Sequence, residues 1–243
     1  MIADGVVHVW RARLDAAPIA ALHRYLSVDE LDRAAAFVFE RDRRRFCAGR
    51  GVLRTVLAQY MQTRPGDLTI HPAHNQKPTV DAPIRFSFSR SADRAVVAVA
   101  ARLEIGIDIE RVRADLDWTG IARRFFSPRE QAELLDGSSA CDPRRFFACW
   151  TKKEAVVKAL GQGLSLALDT FTVPLTDGKV RPEQGWGQER SLTVCGIDAG
   201  VGYVCALAFD DTPAEVLVYD VGGVSPNAQR TIGQQAGTQT TGI

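Results

Sequence analysis

Two short segments of this chain carry carboxylates at spacings that suit metal binding or proton transfer. In Ile105-Gly106-Ile107-Asp108-Ile109-Glu110, apolar and acidic residues alternate. Alternate residues of a strand share a face. The isoleucines would then enter a core together, and Asp108 and Glu110 would point the other way, about 7 Å apart. Two carboxylates at that spacing can grip a hard cation such as Mg2+. The same pattern also suits a half-buried strand with a solvated acidic face. The second segment, from Arg145 to Gly161, has helical period. At 100° per residue, Phe147, Trp150, Glu154 and Val157 fall within an arc of about 80°. Glu154 thus interrupts an apolar stripe, where a carboxylate is costly without a partner. Lys158 follows one turn later, a spacing that a simple surface ion pair would also explain.

Other candidates are individually weaker. Arg41, Arg43, Arg44 and Arg45 crowd a helix start, Lys77-Pro78 feeds a strand, and Ser87, Ser89, Arg90 and Ser91 close it with several donors. Together they could hold a phosphorylated ligand. Separately, the arginine run reads as a solvated helix face. Ser127, Pro128 and Glu130 form a helix-capping box, which accounts for Glu130 structurally, although a carboxylate near a metal could also act as a base. Of 30 basic residues only five are lysine, and three of those (Lys152, Lys153 and Lys158) lie within seven positions. Lysine is a compact point charge and arginine a planar fork, so the choice matters in a tight site. His71 and His74 form an HxxH in a proline-rich stretch, where a solvated loop is expected rather than a metal pair.

The elements needed to position these residues can be read from period. Residues 6–14 alternate as a strand, Ser27 caps a helix, and a long helix runs from Arg41 to Tyr60. Strands are expected at 84–89, 94–101 and 104–110, helices at 119–135 and 143–160, and strands again near 168–174, 191–198, 202–209 and 215–220. From Gly222 onward the chain is small and polar, and a flexible tail over 222–243 is expected. A weak repeat is visible. Arg44-Arg45-Phe46-Cys47-Ala48 and Arg144-Arg145-Phe146-Phe147-Ala148 each open a helix that is followed by an apolar hairpin. This suggests one α+β unit used twice, as an N-terminal half over 1–103 and a C-terminal half over 104–221, with a ligand cleft between them.

Composition excludes several classes. The 243 residues suit two halves, and 46% hydrophobic with 24% charged residues is an ordinary globular balance. A net charge of +1 and the lack of an aromatic stacking platform argue against a nucleic-acid binder built on Arg41 to Arg54. No apolar run approaches the roughly 20 residues of a membrane helix, and the start has no secretory pattern. Five scattered cysteines without a CxxC pair fit a reducing, cytoplasmic setting.

The ordered set Lys77-Pro78, FSFSRS (86–91), GIDIE (106–110), RFFSPRE (124–130) and WTKKEAVVKALGQGL (150–164) resembles the Sfp-type 4'-phosphopantetheinyl transferases over about residues 25–210. The resemblance implies an α+β pseudo-dimer of two similar halves with coenzyme A in the cleft. It implies Mg2+-dependent transfer of the 4'-phosphopantetheine arm to a serine of an apo acyl, peptidyl or aryl carrier protein, releasing 3',5'-ADP. Such proteins serve fatty acid, polyketide, non-ribosomal peptide or lysine biosynthesis. Asp108, Glu110 and Glu154 would be the metal ligands, and Lys158 would contact the pyrophosphate. Lys77, Ser89 and Arg90 would line the coenzyme A phosphates, Arg45 would reach the nucleotide end, and Glu130 would be a candidate base. A monomer is expected. The pattern departs from the family at Arg90, where His is usual, at Ser87, where Asn is frequent, and at Glu30, where Lys is frequent. Arginine can grip phosphate but cannot shuttle a proton. The alternative is a non-catalytic coenzyme A- or carrier-protein-binding relative of the same fold.

Overall fold

The computed structural model describes residues 2–16, 20–72, 77–135, 142–161, 163, 166–182, 191–210, 214–222 and 228–232. Its main elements in chain order are β1 (Val6–Arg13), α1 (Val28–Ala35), α2 (Glu40–Met61), β2 (Arg85–Ser91), β3 (Arg94–Ala100) and β4 (Ile105–Arg111). They continue with α3 (Trp118–Phe125), α4 (Pro128–Leu135), α5 (Pro143–Leu160), β5 (Leu192–Ile197), β6 (Tyr203–Asp210), β7 (Ala214–Asp220) and β8 (Ala228–Ile232). One sheet has the order β8-β7-β1-β3-β2. The other has the order β4-β6-β5, completed by a two-residue strand at Gly178–Lys179.

Alternation sorts the side chains into four layers. In β3, Val97 and Val99 face α2, where Val52, Leu53, Val56 and Leu57 complete one core. Val96 and Ala98 face the other way and join Val7, Val9, Ile105, Ile107, Ile109, Leu207 and Phe209 between the sheets. On the outer face of the second sheet, Val204, Ala206 and Ala208 pack against Phe146, Cys149, Val156 and Ala159 of α5. The result is helix, sheet, sheet, helix. Each half sets one long helix over an antiparallel hairpin, β2-β3 or β5-β6.

The sheets also meet edge to edge through serines. Ser87, Ser89 and Ser91 alternate along β2 and share a face. Ser87 Oγ accepts from Ile107 N–H at 3.0 Å, and Ser91 Oγ accepts from Arg111 N–H at 3.1 Å. These hydroxyls satisfy donors that the free edge of β4 would otherwise leave unpaired.

Three expectations need correction. Strand β7 does not stay with the C-terminal half. It pairs in parallel with β1, from Val6↔Glu215 to Arg11↔Asp220, because Val216 and Val218 find their burial in the core between the sheets. Part of the presumed flexible tail is ordered: Ala228–Ile232 adds to the edge of β7, since ladder pairing is backbone chemistry and needs no apolar composition. The single helix read over 119–135 is two, broken where Phe126 is extended (φ −97°, ψ 150°). Ser127 then caps α4, and Pro128 disfavours helical geometry in the residue before it. Near 168–174 there is only a short 3-10 turn, Leu168–Thr170, followed by the strand Phe171–Thr172.

Candidate active site

Gly106 determines how closely the acidic strand meets the acidic helix. A Cβ there would lie 2.0 Å from the Ala155 carbonyl oxygen and 2.4 Å from Ala159 N. The backbone of α5 therefore rests on β4 at this point. Asp108 and Glu110 share the face of Gly106 and look toward the same helix. From the helix, Glu154 and Lys158, one turn apart, point back. Lys158 Nζ donates to Asp108 Oδ1 at 2.6 Å and to the Ile107 carbonyl at 3.2 Å.

Asp108 is buried and asymmetrically satisfied. Ser89 Oγ also donates to Oδ1, at 2.7 Å, while Oδ2 is buried with no partner among the described residues. An orphaned carboxylate oxygen of this kind is costly unless a cation or donor meets it. Glu110 accepts from Ser91 Oγ at 2.7 Å. Burial pushes the Glu110 carboxyl above the ordinary range, and the negative charge of Asp108 adds to this. Burial raises Glu154 in the same way, again reinforced by Asp108. Three carboxylates thus sense one another around a single ammonium, although among the described residues no group of three potential ligands is drawn into a ready metal cage.

This cluster borders a cavity of about 650 Å3 between the halves. Arg50, Leu53, Lys77, Pro78, Phe86, Ser87 and Phe88 line one wall. Arg124, Phe125, Glu154, Val157, Lys158 and the stretch around Gly161 and Leu166–Asp169 line the other. Lys77 Nζ pairs with Glu104 at 2.8 Å, and burial lowers its pKa. Its alkyl stem runs past Gly161, whose φ of +70° ends α5 in the left-handed conformation that glycine tolerates.

Several expected residues are placed elsewhere. Glu130 is in the core. It accepts from Lys153 Nζ at 2.7 and 2.6 Å, from Ser127 N–H at 2.9 Å and from Val173 N–H at 2.7 Å. Its lone pairs are spoken for, which removes the base reading. Lys152 caps the carbonyls of Pro174, Leu175 and Thr176, so of the three clustered lysines only Lys158 reaches the site. Arg45 forks onto Asp15 at 3.0 and 2.6 Å and lines a second cavity with Arg41, Arg43 and Arg44. Ser89 is turned onto Asp108 rather than toward a phosphate. The Arg90 guanidinium lies over the rings of Phe37 and Phe46, 6.0 and 5.6 Å from their centroids, and is not on the cavity wall. His71 bonds Asp81 at 2.8 Å, and His74 lies outside the described residues.

Comparison with known proteins is decisive about ancestry. Residues 104–208 match the family model of the 4'-phosphopantetheinyl transferase superfamily. Residues 10–104 match that of the 4'-phosphopantetheinyl transferase N-terminal region. The 4'-phosphopantetheinyl transferase HetI of Nostoc sp. is 35% identical over 189 residues, covering 74% of this chain and 80% of its own. The chain belongs to the 4'-phosphopantetheinyl transferase superfamily. The 4'-phosphopantetheinyl transferase Sfp of Bacillus subtilis is 32% identical over 163 residues, covering 65% of this transferase and 71% of its own length. The Bacillus subtilis enzyme ffp is 32% identical over 165 residues, with coverage of 67% and 72%. The family uses coenzyme A as substrate and transfers its phosphopantetheine group to carrier proteins, so the cleft of this transferase is the place to look for that chemistry.

Proposed function

We propose that this transferase moves the 4'-phosphopantetheine arm of coenzyme A to a serine of an apo acyl or peptidyl carrier protein and releases 3',5'-ADP, with Mg2+ held by Asp108, Glu110 and Glu154. The observation that carries the reading is Asp108. Its Oδ2 is buried without a partner beside two carboxylates that burial and mutual repulsion hold above their ordinary range. Such a donor set, all oxygen and all acidic, fits a hard divalent cation. When bound, that ion would neutralise pyrophosphate oxygens and stabilise the leaving phosphate.

The remaining roles belong to the chain's own residues. Ser89 and Ser91 orient the two strand carboxylates through their hydroxyl donors. Lys158 stands at the cavity wall as a compact cation and would meet charge developing on a non-bridging phosphate oxygen. Lys77 would bind a second phosphate of the same ligand across the cleft. Phe125, Val157 and Leu166 supply apolar wall, which excludes water and strengthens those charge interactions. Phosphoryl transfer asks mainly for this kind of positioning and charge stabilisation.

The test is mass spectrometry of apo carrier proteins incubated with the purified chain, coenzyme A and Mg2+. A gain of one phosphopantetheine is expected. Asp108→Asn should lower the rate at least about 100-fold while the protein stays folded. Coenzyme A binding without transfer to any carrier would instead mark a non-catalytic relative.

A further inference from the structure

Arg50 was not among the residues singled out by sequence, yet it stands on the cavity wall in an unusual electrostatic position. Glu30 of α1 faces inward and is shared by two arginines of α2. Its Oε1 accepts from Arg50 Nε at 2.5 Å, and its Oε2 accepts from Arg54 Nε at 2.6 Å. The Ser27 N–H also donates to Oε2 at 2.9 Å, so the capping box of α1 holds the carboxylate in place. One carboxylate between two guanidiniums leaves a net charge of +1. Arg54 is sealed, with a side chain 4% exposed and Nη1 bonded to the carbonyls of Leu68 and Pro65. The Arg50 side chain is 23% exposed and opens on the cavity, so the uncompensated charge is expressed there.

The other cavity cations are committed differently. Lys158 sits among three carboxylates, and Lys77 pairs with Glu104. Arg124 lies over the Phe125 ring on the opposite wall, with an exposed side chain. Only Arg50 combines a clamped fork with an adjoining apolar and aromatic floor, made by Leu53, Pro78, Phe86 and Phe88. Its Nε and Nη2 face Glu30. Among the described residues, Nη1 has no hydrogen-bond partner. A planar base against that floor would bring a ribose phosphate to the free edge of the fork, and a pre-oriented guanidinium binds phosphate without the entropy cost of ordering a free side chain.

We infer that Arg50, held by the positioning residue Glu30, binds the 3'-phosphate of coenzyme A and makes this chain select coenzyme A over 3'-dephospho-coenzyme A. The inference rests on the cleft being the coenzyme A site, and it names the group that reads the nucleotide end. The pyrophosphate, which must lie by Lys158 and the carboxylates, is the same in both ligands, so the comparison isolates the 3' position.

The experiment is calorimetric binding of coenzyme A and of 3'-dephospho-coenzyme A to the full chain, to Arg50→Ala and to Arg50→Lys, with a melting curve for each. Arg50→Ala leaves Glu30 with Arg54 and the Ser27 N–H, so the fold should persist. Coenzyme A affinity should fall about 10- to 100-fold in Arg50→Ala, while 3'-dephospho-coenzyme A affinity stays within error. Arg50→Lys, which keeps the charge but loses the fork, should fall between. Equal losses for both ligands, or no loss for either, would overturn the role of Arg50 alone. If the full chain binds neither ligand, the coenzyme A reading of the cleft fails with it.

Discussion

Glu130 and Lys153 are buried together, with side-chain exposures of 1% and 0%, and each is further satisfied by backbone groups. Removing one charge from such a pair strands the other. Glu130→Gln should therefore cost about 3–5 kcal/mol of stability in urea denaturation and leave the affinity for coenzyme A unchanged at low temperature. A base role would give the opposite pattern, with stability kept and turnover lost. His8 provides a second test at this scale. Its ring meets Tyr60 Oη at 2.8 Å and packs against Tyr219, with Glu215 nearby on β7. Burial lowers its pKa, with Glu215 opposing. The neutral ring is therefore favoured in the folded protein. Its contribution to stability is present above about pH 6.5 and is lost as the pH falls through the lowered folded value. Melting temperature followed between pH 8 and 5 should decline on the acid side, and His8→Gln, which can still reach Tyr60, should flatten that limb. At this scale, Asp108, Glu110, Glu154 and Lys158 were legible because each breaks a local period. Arg50 was hidden among many arginines of one helix. The partners of Ser89 and Glu130 lie 19 and 23 residues away, beyond any local pattern.

Elements become legible when their faces differ. The two-residue alternation of β2 and β4 and the 3.6-residue stripe of α5 can be read directly, because each buries one face more than the other. What the pattern hid was that β4 is covered on its acidic face too, by α5. Gly106 was the available sign, since a glycine inside an otherwise β-branched strand marks a close approach. Gly106→Ala would force a methyl against the Ala155 carbonyl, and the backbone of a packed helix has little room to yield. A loss of about 3 kcal/mol or more is expected in thermal or chemical unfolding. Any folded fraction should bind coenzyme A more weakly, because Lys158 and Glu154 move away from Asp108 together. Normal stability in that variant would mean that α5 can slide, and the alignment of helix and strand carboxylates would not depend on this glycine.

Across the whole molecule, the repeat was legible as two helix-plus-hairpin units, and the two family models meet at residue 104. The division between folded units does not follow that line. Strand β1 has β3 on one side and β7 on the other, so the first sheet is finished by residues 214–220. Ending the chain after Asp210 should expose one full edge of β1, uncover Val7 and Val9, and drive the product into aggregates or insoluble material on size-exclusion chromatography. A monodisperse, coenzyme A-binding truncation would show that the second neighbour of β1 is dispensable. The same pairing sets an order in time. The ribosome makes β1 among its first residues, yet that strand must wait with one side unpaired until some 200 further residues have emerged. The N-terminal half therefore cannot finish folding as it is made, and nascent chains stalled anywhere before residue 214 should be more open to protease in their first sheet than the released protein.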